Sequence, residues 1–394
     1  MNMHTTARAA ALALTLAGSL AGLMAGPAQA QQRQLLVAAN ENKVELRNGL
    51  ATITPDNPPD SISIFDVAVS PAKLLAQVTV PVSVIGPPQS VALAPDLSVA
   101  IVAATTRFDP ADRNKTIDGN TVSVVDLQAN PPAVVQSLTT GPAPANVAVS
   151  PDGKLVLVTT RGDSAVLVFA LDGKRLTQTA RIALPDKSVP GGVAIAPDGK
   201  RALVTRDGDS TVTVLAINGG EVKLAGRDFY TGVRPYGLHI SPNGDWAVVG
   251  NVGRGNGDVD TISLVDMRGP VPRSIDHASV GPTAEGVAMS PDSRLVAAVV
   301  HDGTNKPPSF PFYKERGQVV VMRIDGGKLL PLGAAPIGRW SQGVAFSADS
   351  KRLFVANMVE KNIQVFRVEA AGIVDTGERI SLPGGGAAMV IGAR

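Results

Sequence analysis

Short runs in which aliphatic or β-branched residues alternate with variable ones recur along this chain, and one such run returns seven times. It reads Ile62-Ser63-Ile64-Phe65-Asp66-Val67 and starts again at Val122, Val166, Val212, Ile262, Val319 and Ile363, at intervals of 60, 44, 46, 50, 57 and 44 residues. A period of two is the signature of a strand with one face buried. Ahead of most copies stand two more short runs joined by a tight turn, as in Val147-Ala148-Val149, Ser150-Pro151-Asp152-Gly153-Lys154 and Leu155-Val156-Leu157-Val158. The turn recurs at Ala94-Pro95-Asp96, Ala196-Pro197-Asp198-Gly199-Lys200, Ser241-Pro242-Asn243-Gly244, Ser290-Pro291-Asp292-Ser293 and Ser347-Ala348-Asp349-Ser350. Proline presets φ for a turn, and Asp or Asn followed by Gly supplies the left-handed residue that ends it. A fourth, more polar run follows each third one, for example residues 73–80 and 223–228.

Four strands in each unit of roughly 45 residues is the blade of a β-propeller. The reading is an all-β, seven-bladed propeller with four-stranded antiparallel blades, occupying residues 31–394 as one domain. Six turns accompany seven third strands. Gly386-Ala387-Ala388-Met389-Val390 resembles the missing first strand, and Leu35-Leu36-Val37-Ala38 supplies the second. One blade is therefore expected to be shared between the two termini, closing the ring and protecting its edges.

The first thirty residues read differently. Arg8 is followed by an apolar run over 9–24 and by Ala28-Gln29-Ala30, the small-x-small pattern of a signal-peptidase site. Residues 1–30 are expected to be a cleaved signal peptide, and the mature chain periplasmic with no membrane span. Cysteine is absent, which excludes thiolate metal sites, thiol nucleophiles and iron–sulfur clusters. A formal charge of +2 and only 9 Phe, 3 Tyr and 2 Trp argue against nucleic acid as a partner. No cofactor and no metal site is expected. Asp207-Gly208-Asp209 and Asn256-Gly257-Asp258-Val259-Asp260 offer oxygen ligands but read as turns, lacking the loop length and closing Glu of a calcium site.

Leu353-Phe354-Val355-Ala356-Asn357 followed by Asn362-Ile363-Gln364-Val365 resembles the YVTN repeat. Val158-Thr159-Thr160-Arg161-Gly162-Asp163-Ser164 followed by Val166-Leu167-Val168-Phe169 resembles the same segment of lactonase-type seven-bladed propellers. That resemblance implies the propeller fold and, for activity, opening or closing of a lactone ring. Two tryptophans, Trp246 and Trp340, are too few for WD repeats or for the docking tryptophans of quinoprotein propellers.

The tight turns share one face. Every long insertion falls on the other: residues 40–60, 105–120, 251–261 and 301–317. Insertions gathered on one face mark a binding face. The residues expected to rim the channel there are Arg161, Arg206, Arg234, Tyr236, Arg339, Gln342, Asn251 and Asn357 as ligand-binding groups, with Glu285 and His301 as candidate acid–base residues. His239 sits inside a first strand and reads as core or channel lining. Two readings of function stand. One is an exported scaffold binding a small anionic molecule or a periplasmic protein on its looped face. The other is a lactonase-like hydrolase or cyclase acting on a sugar-acid or muconate-type lactone.

Overall fold

Blades stacked face to face leave their middle strands no solvent on either side, and the sequence shows it. The strand Leu155–Thr160 is buried at every position, and Leu295–Val300 is nearly so. The outer strand Ala133–Thr139, by contrast, is exposed or half-exposed throughout. This gradient explains why second strands read as unbroken apolar runs and fourth strands as polar ones. Neighbouring blades meet through these middle strands; Leu157, Val166 and Val168 of one pack on Val193, Val204 and Leu215 of the next.

The computed structural model describes residues 33–394, so the expected signal peptide lies outside the described residues. Among the described residues there are seven four-stranded antiparallel sheets and one two-stranded ribbon. No helix among them is long and apolar enough to cross a membrane. Blade 1 takes its inner strand from Gly385–Ala393 and its other three from Gln34–Glu41, Ser61–Asp66 and Lys73–Thr79. Val37 pairs with Val390 and Ala38 with Met389. Blades 2 to 7 follow in chain order, with inner strands Val91–Leu93, Pro144–Val149, Pro190–Ile195, Pro235–Ile240, Ala284–Met289 and Ser341–Phe346. Each inner strand touches the next, and Gly385–Ala393 touches Val91–Leu93, so the ring closes as the sequence implied.

The recurrent turn works as its chemistry requires. Gly153, Gly199 and Gly244 have φ of 71°, 67° and 76°, and Ser293, Ser350 and Leu97 take the same left-handed conformation where glycine is missing. In four turns the leading serine hydroxyl donates to the Asp or Asn two residues on, as Ser150 does to Asp152 at 2.5 Å.

Inner strands crowd at the narrow centre, and glycine allows it. A Cβ on Gly192 would sit 2.8 Å from the Tyr236 carbonyl oxygen, and one on Gly237 would fall inside the van der Waals shell of the Glu285 carbonyl. Gly237→Ala is therefore expected to cost roughly 1–3 kcal/mol by overpacking. A shift in the midpoint of urea unfolding measures it; an unchanged midpoint would mean the blades part freely there.

The inner strand of blade 2 is cut to three residues because the chain ahead of it leaves the blade and crosses the channel. Pro87 and Pro88 are buried, against Gly191 of blade 4 and Gly286 of blade 6. Gln89 then spans to blade 5, donating to the Leu238 carbonyl at 2.6 Å and accepting from the Leu238 amide at 3.0 Å. This crossing divides the channel. Below it, a cavity of about 500 Å³ opens on the tight-turn face, lined by inner-strand aliphatics with His239. His239 accepts the Met289 amide at 2.8 Å, and burial lowers its pKa to about 4, so it is neutral.

Two of the four insertions expected as loops are β-ribbons. Val44–Arg47 pairs with Leu50–Ile53 around Asn48-Gly49, whose φ values of 49° and 73° are those of a tight hairpin turn. Val99–Phe108 and Thr116–Asp126 of blade 2 simply run on past the sheet together. The Asn-Gly pair was the legible signal for the first ribbon. The aromatic loop of residues 307–313 packs on the neighbouring blade: Phe310 and Phe312 meet edge-on at 5.9 Å, and Phe312 lies against Gly257.

Candidate functional site

Five inner strands begin immediately after a left-handed residue: Ala143, Val189, Arg234, Thr283 and Trp340, with φ between 46° and 62°. Such conformations are costly for residues with a Cβ, and most of all for a β-branched one, so they persist only where the surroundings hold them. Here they turn the chain sharply from the rim into the channel. The same strands then bulge over their first residues, where the pairing shifts register between Pro235 and Leu238 and between Ala284 and Val287. Bulges re-aim side chains. Tyr236, Glu285 and Gln342 all sit in this stretch.

Above the channel crossing these residues meet groups from the ends of the second strands. His301 Nε2 lies 3.1 Å from Glu285 Oε2 and 2.9 Å from the Ser341 carbonyl oxygen. Both neighbours accept, so Nε2 carries the proton and donates to them. The Gln342 amide satisfies its surroundings when its nitrogen donates to Glu285 Oε1 at 3.1 Å and its oxygen accepts from Trp340 Nε1 at 3.1 Å. Glu285 is thus held by both carboxyl oxygens.

On the opposite side of the mouth, Asp207 receives Arg161 Nη2 at 2.8 Å and Arg234 at 2.5 Å from Nε and 3.2 Å from Nη2. The Arg161 guanidinium also lies 5.4 Å from the centre of the Tyr236 ring, and its Nη1 is buried without a partner. A pocket of about 400 Å³ opens over Asp207 and Arg234 and is bordered by Arg254.

These surroundings set the protonation states. Burial raises the Glu285 carboxyl to about 8, although Gln342, Arg161 and Arg234 pull the other way. Burial works against ionisation of Asp207 too, but there the hydrogen bonds from Arg234 and Arg161 prevail and hold it below the usual range. Burial lowers His301 to about 4, so the imidazole is neutral. Burial pushes the Tyr236 phenol well above its ordinary value, keeping it a neutral donor. The site therefore combines a proton-bearing carboxyl, a neutral hydroxyl and two fixed cations.

Of the ten residues named from sequence, six converge here: Arg161, Arg234, Tyr236, Glu285, His301 and Gln342. Four point elsewhere. Arg206 is bound by Asp209, Asp228 and Thr213 within its own blade. Asn251 bonds Thr231, Thr261 and Ser263, Asn357 bonds Gly338, Ser341 and Asn362, and Arg339 pairs with Glu360 at the rim. A parity in the sequence separates most of them. Arg206, Asn251 and Asn357 stand nine residues after the turn's proline position and face the blade body; Arg161, Asp207 and His301 stand ten after and face the channel. One step along a strand changes face. Asp207 and Trp340 join the site although neither was among the ten.

A family model described as lactonase, 7-bladed β-propeller, matches residues 114–232. No curated protein matches the sequence significantly. Among solved structures, a candidate 6-phosphogluconolactonase of Bacteroides fragilis has a TM-score of 0.70 at 16% identity, covering 93% of this chain and 99% of its own. A periplasmic gluconolactonase of Pseudomonas aeruginosa has a TM-score of 0.64 at 16% identity, covering 91% and 99%. A functionally unknown protein of Desulfotomaculum acetoxidans has a TM-score of 0.66 at 17% identity, covering 91% and 98%. Identities this low speak for the fold. The chain is a seven-bladed β-propeller, similar to the lactonase propeller family over residues 114–232 and to solved propellers around the whole ring.

Proposed function

We propose that this chain is an exported hydrolase that opens the lactone ring of a sugar acid at the looped mouth of its channel. The observation that carries the reading is Glu285, a buried carboxyl raised to about 8 and facing two arginines and a neutral phenol. A general base works best with a pKa near the working pH, which this one has. In the proposed step the Glu285 carboxylate takes a proton from the attacking water as its oxygen adds to the lactone carbonyl. The oxyanion that forms is stabilised by the Arg161 guanidinium, which Asp207 holds in place, and by the Tyr236 hydroxyl. The ring oxygen then leaves and receives the same proton back from Glu285, giving the open hydroxy acid. Arg234 and Arg254 border the neighbouring pocket over Asp207.

His301 is a positioning residue in this scheme. Its Nε2 proton is already shared between Ser341 and Glu285, and its ring is fully buried. The names of the Bacteroides and Pseudomonas neighbours support the substrate class, and Ala28-Gln29-Ala30 together with the periplasmic Pseudomonas neighbour supports export.

Initial rates of opening of glucono-1,5-lactone, its 6-phosphate and a muconolactone, each against buffer alone, test the proposal. Acceleration of at least about 100-fold on a sugar-acid lactone is expected from base catalysis plus oxyanion stabilisation. Rates equal to buffer on all three would overturn it in favour of a binding scaffold.

A further inference from the structure

The two β-ribbons that rise from blades 1 and 2 enclose a second pocket, of about 310 Å³, which shares no residue with the site around Glu285. Its walls are apolar: Pro58 and Pro59 from the first ribbon's return, Val80 and Pro81 from the chain leaving blade 1, and Phe108 from the second ribbon. Arg113 stacks over Phe108 at 4.6 Å and donates to the Pro55 carbonyl at 2.9 Å, tying the two ribbons together.

Cations dominate the polar lining. Lys43 lies at the base, buried, but its ammonium is fully engaged by Glu41, Asp60 and the Val82 carbonyl. Arg107 is different. It lines the pocket, its Nε is buried, and neither a hydrogen bond nor an ion pair satisfies its guanidinium. Arginine stays charged at any working pH and presents donors in a planar fork suited to a carboxylate. A half-buried guanidinium left without an acceptor, beside prolines and an aromatic ring, is the complement of a flat apolar molecule bearing one negative charge.

We propose that this pocket is a binding site for a small aromatic carboxylate, its ring held between the prolines and Phe108 and its carboxylate paired with Arg107. The volume suits a single ring with a short side chain. Arg113, already on the Phe108 ring, adds a second cation at the rim, so binding weakens as salt rises.

Titration of the full chain with 3-phenylpropanoate, followed by calorimetry and by ligand-observed NMR, tests the assignment. 3-Phenylpropanol serves as the neutral control of the same shape. Saturable binding of the acid is expected, with the alcohol at least tenfold weaker and Arg107→Met reducing affinity for the acid at least tenfold. Glu285→Gln is expected to leave the affinity unchanged. No saturable binding of the acid, equal affinity for acid and alcohol, or an undiminished affinity in Arg107→Met would each overturn the proposal. The alcohol comparison uses the unaltered protein and holds even if the variant misfolds. A loss of binding in Glu285→Gln would place the acid at the channel mouth instead and overturn it too.

Discussion

On the proposed lactonase reading, Glu285→Gln stops lactone opening and, at the same time, makes the protein more stable in neutral and alkaline solution. The loss in kcat is expected to be about 10²–10⁴-fold, the contribution of a positioned acid–base group. Under the same proposal kcat/KM should rise with pH and level off above about 8, as the carboxyl of the unliganded protein ionises. The gain in stability follows from the same burial. Glu285 has a folded pKa of about 8, well above that of an exposed glutamate, so the folded state holds its proton longer than the unfolded one. Stability from this group is complete below the unfolded pKa and is lost as pH rises through the folded one. The cost is on the order of 3 kcal/mol near neutrality, and glutamine, which never ionises, escapes it. Denaturant unfolding of both proteins at pH 5 and pH 8 should show the variant pulling ahead only at the higher pH. A stability difference that does not change with pH, or retained turnover, would remove Glu285 from its assigned role.

The second large effect belongs to Lys43→Met. The Lys43 ammonium joins the end of the second strand of blade 1 (Glu41), the start of its third (Asp60) and the Val82 carbonyl. Glu41 and Asp60 are 1% and 8% exposed, so methionine leaves two carboxylates facing each other out of water. Removing one partner of a buried ion cluster typically costs about 3–5 kcal/mol, and that loss is expected here at pH 7. Burial already raises the Glu41 carboxyl even with Lys43 in place. Without the cation the Glu41 carboxyl will be raised further, so its protonation restores stability as pH falls. Unfolding midpoints at pH 7 and pH 5 measure this. A deficit under about 1 kcal/mol, no more than an exposed pair contributes, or one equal at both pH values, would show that Lys43 is a bystander.

The architecture was legible because it is written seven times. A single copy of Val-Ala-Val before Pro-Asp-Gly is ambiguous, but the shortfall of one turn against seven third strands led directly to the pairing of Gly385–Ala393 with Gln34–Glu41. The site was partly legible for the same reason, since repeat position located Tyr236, Glu285, Gln342, Arg161 and His301. What repetition could not resolve was parity at the strand ends, so Arg206 was grouped with Arg161 although one residue's offset turns it into its own blade. Long-range partnership was hidden altogether. Lys43 reads as an ordinary polar residue in an insertion, and only folding brings Asp60 and Val82 to it. The left-handed residues ahead of the inner strands were equally silent, because Val189 and Trp340 are not residues that announce a positive φ.

The channel crossing by Pro87, Pro88 and Gln89 gives the molecule a directionality that a bare ring would lack. A perforated propeller lets solutes pass from face to face, but here Gln89 and the Leu238 backbone bar that route just beneath Tyr236. Whatever reacts at Glu285 must arrive and depart by one doorway. Under the proposed function, turnover would be paced by exchange at that doorway, and product lingering there would compete directly with the next substrate. The aliphatic chamber beneath takes no part in this traffic.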